Sequence, residues 1–80
     1  MIAPKLKKVI LEVLRLEDFD LQDTTTASAV PGWDSLTHVT ILTAIEQAYA
    51  IRFRTMEVLR LKNVGELQAL VDRKTAAVPN

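Results

Sequence analysis

The sequence predicts an all-α fold, a four-helix bundle with three longer helices, one short helix and a long connection between the first two. Three observations support this: apolar residues recur at helical spacing in separate segments, chain breakers stand between the segments, and sustained strand alternation is missing. The 80 residues suffice for one small domain. We expect it to span residues 1–80, with a core at about 4–73 and a frayed tail at 75–80.

The first predicted helix begins near Pro4, a residue suited to a first helical turn, and ends around Leu14 to Leu16. Its spacing predicts an inward face made of Leu6, Val9, Ile10, Val13 and Leu14. Residues 17–31 follow no period and are rich in turn-forming side chains, so we expect a long loop with room for a short helical turn. Its predicted anchors are Phe19, Leu21, Ala27 and Val30.

The second predicted helix follows Pro31-Gly32, is capped by Asp34 or Ser35, and runs to about Tyr49. The spacing predicts an inward stripe, widened by alanines and a further isoleucine: Leu36, Val39, Leu42, Ile45 and Tyr49, with Ile41, Ala44 and Ala48.

After it, Ile51 and Phe53 are expected to be inward anchors of a loop, because no partner strand exists for their short alternation. Thr55 is predicted to cap a short third helix that ends at Leu59. Asn63 and Glu66 form a capping-box pattern before the fourth helix. The inward face of that helix is predicted to be Val64, Leu67, Leu70 and Val71.

Charge and composition exclude several classes of function. Ten basic and ten acidic side chains cancel, which argues against a nucleic-acid binder, although residues 1–50 carry a net −3 and residues 51–80 a net +3. The absence of cysteine excludes disulfides and thiolate metal sites, and His38 is the single imidazole. No apolar run is long enough to span a bilayer. We expect a cytoplasmic monomer without a bound metal.

Gly32-Trp33-Asp34-Ser35-Leu36 is the segment that carries chemistry. Three interpretations stay open from these residues alone. Asp34-Ser35 is simply a helix cap, or Ser35 accepts a phosphodiester at the electropositive N-terminus of a helix, or Ser35 is a nucleophile with His38 as its base. The nucleophile is the least favoured, because no second imidazole exists and a bundle of this size has little room for a closed cleft.

This segment and the helix after it resemble the acyl carrier protein family and its peptidyl carrier relatives, whose Asp-Ser-Leu signature is complete here. The stretches Tyr49-Ala50-Ile51-Arg52-Phe53 and Val64-Gly65-Glu66-Leu67 are also similar to that family. The resemblance implies a carrier and not an enzyme. It further implies that a separate transferase attaches the 4′-phosphopantetheine arm of coenzyme A to Ser35, flanked by Asp34 and Leu36, and that the arm's thiol holds acyl or aminoacyl thioesters.

The resemblance also implies the partners: a phosphopantetheinyl transferase, an acyl- or aminoacyl-activating ligase, and downstream acyltransferase, ketosynthase or condensation enzymes. The positions expected to face them are Trp33, Leu36, Thr37, His38, Thr40, Arg52 and Arg54. Candidates to line an acyl-sheltering cavity are Ile41, Ala44, Ile45 and Phe53, although core packing is the commoner role for such residues. His38 is expected to face solvent.

One departure from the family's pattern concerns charge. Fatty acid carriers usually have an acidic second helix, whereas Glu46 is the only acid here and the region that follows is basic. We therefore expect a specialised pathway, such as polyketide, nonribosomal peptide or dedicated acyl biosynthesis. An unmodified helical interaction module with a carrier-like fold is the alternative.

Overall fold

The computed structural model describes residues 2–76. Its elements in chain order are α1 (Pro4–Leu14), a 3₁₀ turn (Ala27–Ala29), α2 (Ser35–Tyr49), α3 (Thr55–Leu59) and α4 (Val64–Ala76). The described residues contain no strand, and the prediction of three longer helices, one short helix and a long first connection is confirmed. The predicted frayed tail lies outside the described residues, except that Thr75 and Ala76 end α4.

The ends of α1 and α2 share one termination geometry. Arg15 and Ala50, the residues after these helices, adopt left-handed conformations with φ of 58° and 55°. The amide of Leu16 reaches back to the carbonyl of Leu11, and that of Ile51 to the carbonyl of Glu46, each at 3.0 Å. These bonds satisfy carbonyls that the helix leaves without a partner, and they turn the chain sharply.

The core lies between α1, α2 and α4, with α1 packed against α2. Leu6 and Ile10 of α1 are fully buried as predicted, and all four predicted inward residues of α4 are buried. The loop anchors Leu21, Val30 and Ile51 are also buried, as expected. Leu11 of α1, which the predicted face omitted, is buried too.

The predicted inward stripe of α2 is wrong at its N-terminal end and at Ala48, which is exposed. Leu36 is 81% exposed and Val39 is 63% exposed, whereas Ile41 and Ile45 are fully buried. At 3.6 residues per turn, Leu36 lies nearly opposite Ile45 on the helix. α2 therefore has two apolar arcs, and only the arc that contains Ile41 meets the core.

The predicted cap of α3 is also wrong by one residue. Arg54 is the N-cap, and its backbone N–H donates to Oε1 of Glu57 at 2.8 Å, while Thr55 is the first helical residue. Glu57 also pairs with Lys74 of α4 at 2.7 Å. One carboxylate thus caps α3 and joins it to α4, which a threonine cap would not do.

The long loop is fixed to the start of α4 by backbone hydrogen bonds. The amide of Val64 donates to the carbonyl of Thr25 at 2.8 Å, and that of Gly65 donates to the carbonyl of Asp23 at 2.9 Å. The predicted cap Asn63 accepts from the amide of Glu66 at 2.9 Å. Since the first amides of a helix have no partner inside it, the loop and the cap satisfy them together. This contact holds the loop that leads to Trp33.

Gly65 is the position where this contact leaves no space for a side chain. A Cβ there would lie 2.7 Å from the carbonyl oxygen of Asp23. We expect Gly65→Ala to lower the free energy of unfolding by about 1–3 kcal/mol, because overpacking against backbone forces the loop to shift. Urea unfolding followed by circular dichroism measures this.

The matched control is Ala69→Gly, at an exposed position of the same helix. It should cost about 1 kcal/mol, the ordinary propensity difference between glycine and alanine. If Gly65→Ala instead stabilises the protein by a similar amount, propensity dominates and the loop contact is not tight.

Candidate functional site

A capping box sets the geometry of the loop–α2 junction. Oδ1 of Asp34 accepts the backbone N–H groups of Leu36 at 3.0 Å and Thr37 at 2.9 Å, while the N–H of Asp34 donates to Oγ1 of Thr37 at 2.7 Å. The hydroxyl of Thr37 also donates to the carbonyl of Gly32 at 2.8 Å. Gly32 has a φ of +82°, a conformation that glycine adopts readily. The turn and the first turn of α2 therefore form one hydrogen-bonded unit.

Ser35 is the first residue of α2 and is exposed. Its hydroxyl forms no hydrogen bond with any residue between 2 and 76, since the cap is supplied by Asp34. The hydroxyl lies at the N-terminus of a helix, where the backbone dipoles favour negative charge. An exposed hydroxyl without a bonding partner in the fold, at an electropositive end, fits the attachment of a phosphodiester.

The contacts of Asp34 lower the pKa of its carboxyl group below the ordinary value. The backbone N–H of Thr37 lowers the pKa of this carboxyl most, and the Thr37 hydroxyl and the Leu36 amide lower it further. All of these contacts use Oδ1. Oδ2 forms no hydrogen bond with the described residues.

Trp33 and His38 form a pair on the inner side of the junction. The indole Nε1–H donates to Nδ1 of His38 at 3.1 Å, and both side chains are half-buried. The prediction that His38 faces solvent is therefore wrong. Trp33 packs against the core, and this draws His38 inward as its acceptor. A buried indole N–H ordinarily requires such an acceptor.

The same contact argues against a serine hydrolase. A catalytic base must reach the hydroxyl that it deprotonates. Because Nδ1 of His38 accepts the indole N–H, a neutral imidazole carries its proton on Nε2, and neither nitrogen is free to take the proton of Ser35. Ser35 also forms no hydrogen bond with His38. The junction therefore holds a free hydroxyl and not an assembled nucleophile.

The residues predicted to face partners lie in two kinds of environment. Leu36, Thr40, Arg52 and Arg54 are exposed. Thr37, Trp33 and His38 are half-buried and are engaged within the junction.

Sequence reasoning did not identify three other exposed apolar side chains, those of Val39, Met56 and Leu59. For Val39 a signal was available, because Leu36 and Val39 are one turn apart and lie on the side of α2 away from Ile45. Met56 and Leu59 have the same spacing on α3.

The charge of α2 and of the segment that follows it comes mainly from arginine and lysine. Oε2 of Glu46, the only acid within α2, accepts the backbone N–H of Phe53 at 2.8 Å. This bond stabilises the segment that follows the helix. The exposed residues of α2 are neutral. Four basic side chains that follow the helix form no ion pair with the part of the chain that the structure describes: Arg52, Arg54, Arg60 and Lys62.

Residues 2–76 hold no cluster of three or more histidine, cysteine, aspartate or glutamate side chains that could bind a metal ion. None of the described helices combines the length and the apolar character needed to cross a membrane.

Comparison with known proteins identifies the family. A family model described as a phosphopantetheine attachment site matches residues 4–71. The chain belongs to this family. A solution NMR structure of a holo acyl carrier protein from Geobacter metallireducens is 35% identical, with a TM-score of 0.84 over 92% of this chain and 88% of that chain. A search of curated proteins gave no match.

Membership of the acyl carrier protein family assigns the broad function. The chain is a carrier and not an enzyme, and 4′-phosphopantetheine is its prosthetic group. Such carriers interact with phosphopantetheinyl transferases and with biosynthetic enzymes. The predictions of family, fold and prosthetic group are confirmed.

The Asp34 cap has a measurable pH dependence. Because the folded pKa of Asp34 is below its ordinary value of 3.8, ionised Asp34 stabilises the fold above that pH, and this stabilisation is lost as the pH falls through the lower folded value. Asp34→Asn keeps a capping oxygen without the charge. We expect the melting temperature of the wild type to exceed that of Asp34→Asn at neutral pH, and the gap to close in acid.

Thermal melts at a series of pH values measure this gap. Asp18 and Glu57 also have lowered pKa values because of Lys7 and Lys74. The wild type and Asp34→Asn both keep these two pairs, so their contribution cancels when the two melting temperatures are subtracted. A gap that stays constant through the acid range would show that the charge of Asp34 does not stabilise the cap.

Proposed function

We propose that Ser35 carries the phosphopantetheine arm of this carrier. The observation that supports this most is the hydroxyl of Ser35, exposed and without a bonding partner among the described residues, in the family's Asp-Ser-Leu sequence at the start of α2. Asp34 takes the amides of Leu36 and Thr37. The cap therefore leaves no amide cradle that would bind the phosphate closely, and the arm extends outward from a covalent link.

The loading reaction uses this chain as the nucleophile. The Ser35 Oγ–P bond forms as the pyrophosphate bond of coenzyme A breaks, the adenosine bisphosphate half leaves, and the hydroxyl proton passes to a base of the transferase. Oδ2 of Asp34 is free to bind a metal ion or a basic residue of that transferase. Once attached, the arm supplies the thiol that this cysteine-free chain lacks, and the thiol holds the cargo as a thioester.

The proposal extends to the setting in which the carrier acts. Residues 1–80 form one carrier domain that acts as a monomer. A cytoplasmic location suits an arm whose thiol must stay reduced. An activating ligase loads the cargo, and acyltransferase, ketosynthase or condensation enzymes use it. Leu36, Thr40, Arg52 and Arg54 contact these enzymes, and Trp33, Thr37 and His38 contribute at the loop–α2 junction.

Loading with coenzyme A and a broad-specificity phosphopantetheinyl transferase tests the attachment site. Intact mass spectrometry should show a gain of one phosphopantetheinyl group, and peptide mapping should find it on Ser35. Ser35→Ala should abolish the gain, because it removes the acceptor hydroxyl.

Ser28 provides a matched control, since it is the only other serine and is also exposed. Ser28→Ala should be loaded like the wild type. A folded wild type that stays unmodified with a transferase competent on another carrier would favour the alternative, an unmodified interaction module.

We further propose that the carrier serves a specialised pathway, such as polyketide, nonribosomal peptide or dedicated acyl biosynthesis. The support is the neutral exposed face of α2, the engagement of Glu46 with Phe53, and the unpaired basic side chains after the helix. A partner that fits this surface presents apolar and acidic groups. Enzymes of fatty acid synthesis with basic docking sites would find few acids here.

Adding an acid to α2 tests this charge argument. The wild type should bind basic enzymes of fatty acid synthesis weakly and with little dependence on salt. Thr40→Glu should raise the association several-fold at low salt, because one new ion pair becomes available on the exposed face. Surface plasmon resonance at two salt concentrations measures both effects.

Thr24→Glu adds the same charge on an exposed loop position away from α2 and should have little effect. Tight, salt-sensitive binding of the wild type to these enzymes would overturn the specialised pathway.

A further inference from the structure

The apolar space next to the attachment junction is very small. A cavity of about 40 Å³ lies where the junction meets the start of α4, with Trp33 and His38 on one side and Leu61, Val64 and Leu67 on the other. An engineered cavity that binds benzene measures about 150 Å³. The space beside the junction is therefore too small for an alkyl chain.

Trp33 is the side chain that fills this region. It is the only tryptophan of the chain, it is half-buried, and it packs against the core cluster that includes Val64 and Leu67. Residues 61–63, between α3 and α4, complete the other wall. Removal of the indole would join its volume to the cavity and open the wall beside Ser35's helix.

His38 holds the indole in this position. Its Nδ1 accepts the indole N–H at 3.1 Å, and the two ring centroids are 6.2 Å apart. If the acceptor were lost, the indole N–H would have to find water, and the ring would turn outward to reach it. The loop that carries Trp33 is itself fixed by the bond from Thr37 to Gly32. The indole is therefore held by its packing, its hydrogen bond and its loop.

The four residues expected to line an acyl-sheltering cavity lie in the core or in another groove, away from the small cavity. Ile41 and Ile45 are fully buried in the core, and Phe53 packs against that core. Ala44 lines an open groove between α1 and α2 with Val9 and Val13. None of the four borders the small cavity.

We propose that Trp33 and His38 form a closure that keeps the cargo outside the helix bundle. This inference rests on the proposed attachment of the arm to Ser35. An alkyl cargo gains by leaving water, so an open cavity beside the arm would take it in. The Trp33–His38 pair prevents this, and the cargo stays exposed to partner enzymes whatever its length. Trp33 and His38 are positioning residues in this role.

Carriers loaded with acetyl-phosphopantetheine or decanoyl-phosphopantetheine test the closure. Intact mass confirms the loading first, so a failure of attachment is recognised before the closure is examined. Melting temperature and the fluorescence of Trp33 are then compared for the two cargoes. In the wild type both should be unchanged by cargo length.

Trp33→Ala opens the space, and its melting temperature should rise by several degrees from acetyl to decanoyl, as expected for a modest gain in a domain of this size. His38→Ala keeps the indole as a reporter, and its emission and melting temperature should both change with cargo length. His38→Gln retains an acceptor and should behave like the wild type.

If Trp33→Ala does not fold, the comparison of His38→Ala with His38→Gln still tests the closure. A wild type whose melting temperature rises with cargo length would overturn the closure. The same conclusion follows if His38→Ala and His38→Gln behave identically, or if no folded variant responds to cargo length.

Discussion

The capping box between Asp34 and Thr37 is the interaction on which the site depends. It fixes the first turn of α2 and, through the Thr37 hydroxyl, also fixes the turn at Gly32. Because Asp34 supplies the cap, the neighbouring hydroxyl of Ser35 does not. One side chain thus performs the structural task of the helix terminus, and the adjacent side chain is left exposed. The helix-cap and acceptor interpretations of Asp34-Ser35 are therefore compatible, since Asp34 is the cap and the hydroxyl of Ser35 is left without a structural role.

α2 separates the interior of the bundle from an exposed apolar face, which we propose partners contact. Ile41 and Ile45 are on its buried arc, and Leu36 and Val39 are on the opposite, exposed arc. Burial of either of the first two stabilises the fold by roughly 1.5–3 kcal/mol, so they determine which way the helix faces. Large apolar side chains that stay exposed to water contribute little to the stability of the fold. Their presence on the surface agrees with a role in binding partners.

The long loop has a defined conformation because its backbone carbonyls accept hydrogen bonds from the first amides of α4. Thr25 and Asp23 accept the amides of Val64 and Gly65, and Leu21 and Val30 are buried beneath the loop. Without these hydrogen bonds, the segment between α1 and α2 would depend on local turns alone for its conformation. Trp33 follows this loop, and its indole N–H donates to His38. The docked loop, the indole and the small cavity therefore lie together where the loop meets α4.

The residues in order were enough to predict the number and order of the helices, the Asn63 cap, the buried face of α4 and the family resemblance around Ser35. Each of these depends on residues close in the chain, where helical spacing and capping chemistry act locally. Packing between distant segments determines which apolar arc of α2 is buried, that Arg54 and not Thr55 precedes α3, and that His38 turns inward to Trp33. These outcomes depend on groups distant in sequence, such as the Lys74 that pairs with Glu57 and the core that receives the indole. Periodicity cannot choose between two apolar arcs of one helix, because only the packed neighbours determine which arc loses its contact with water.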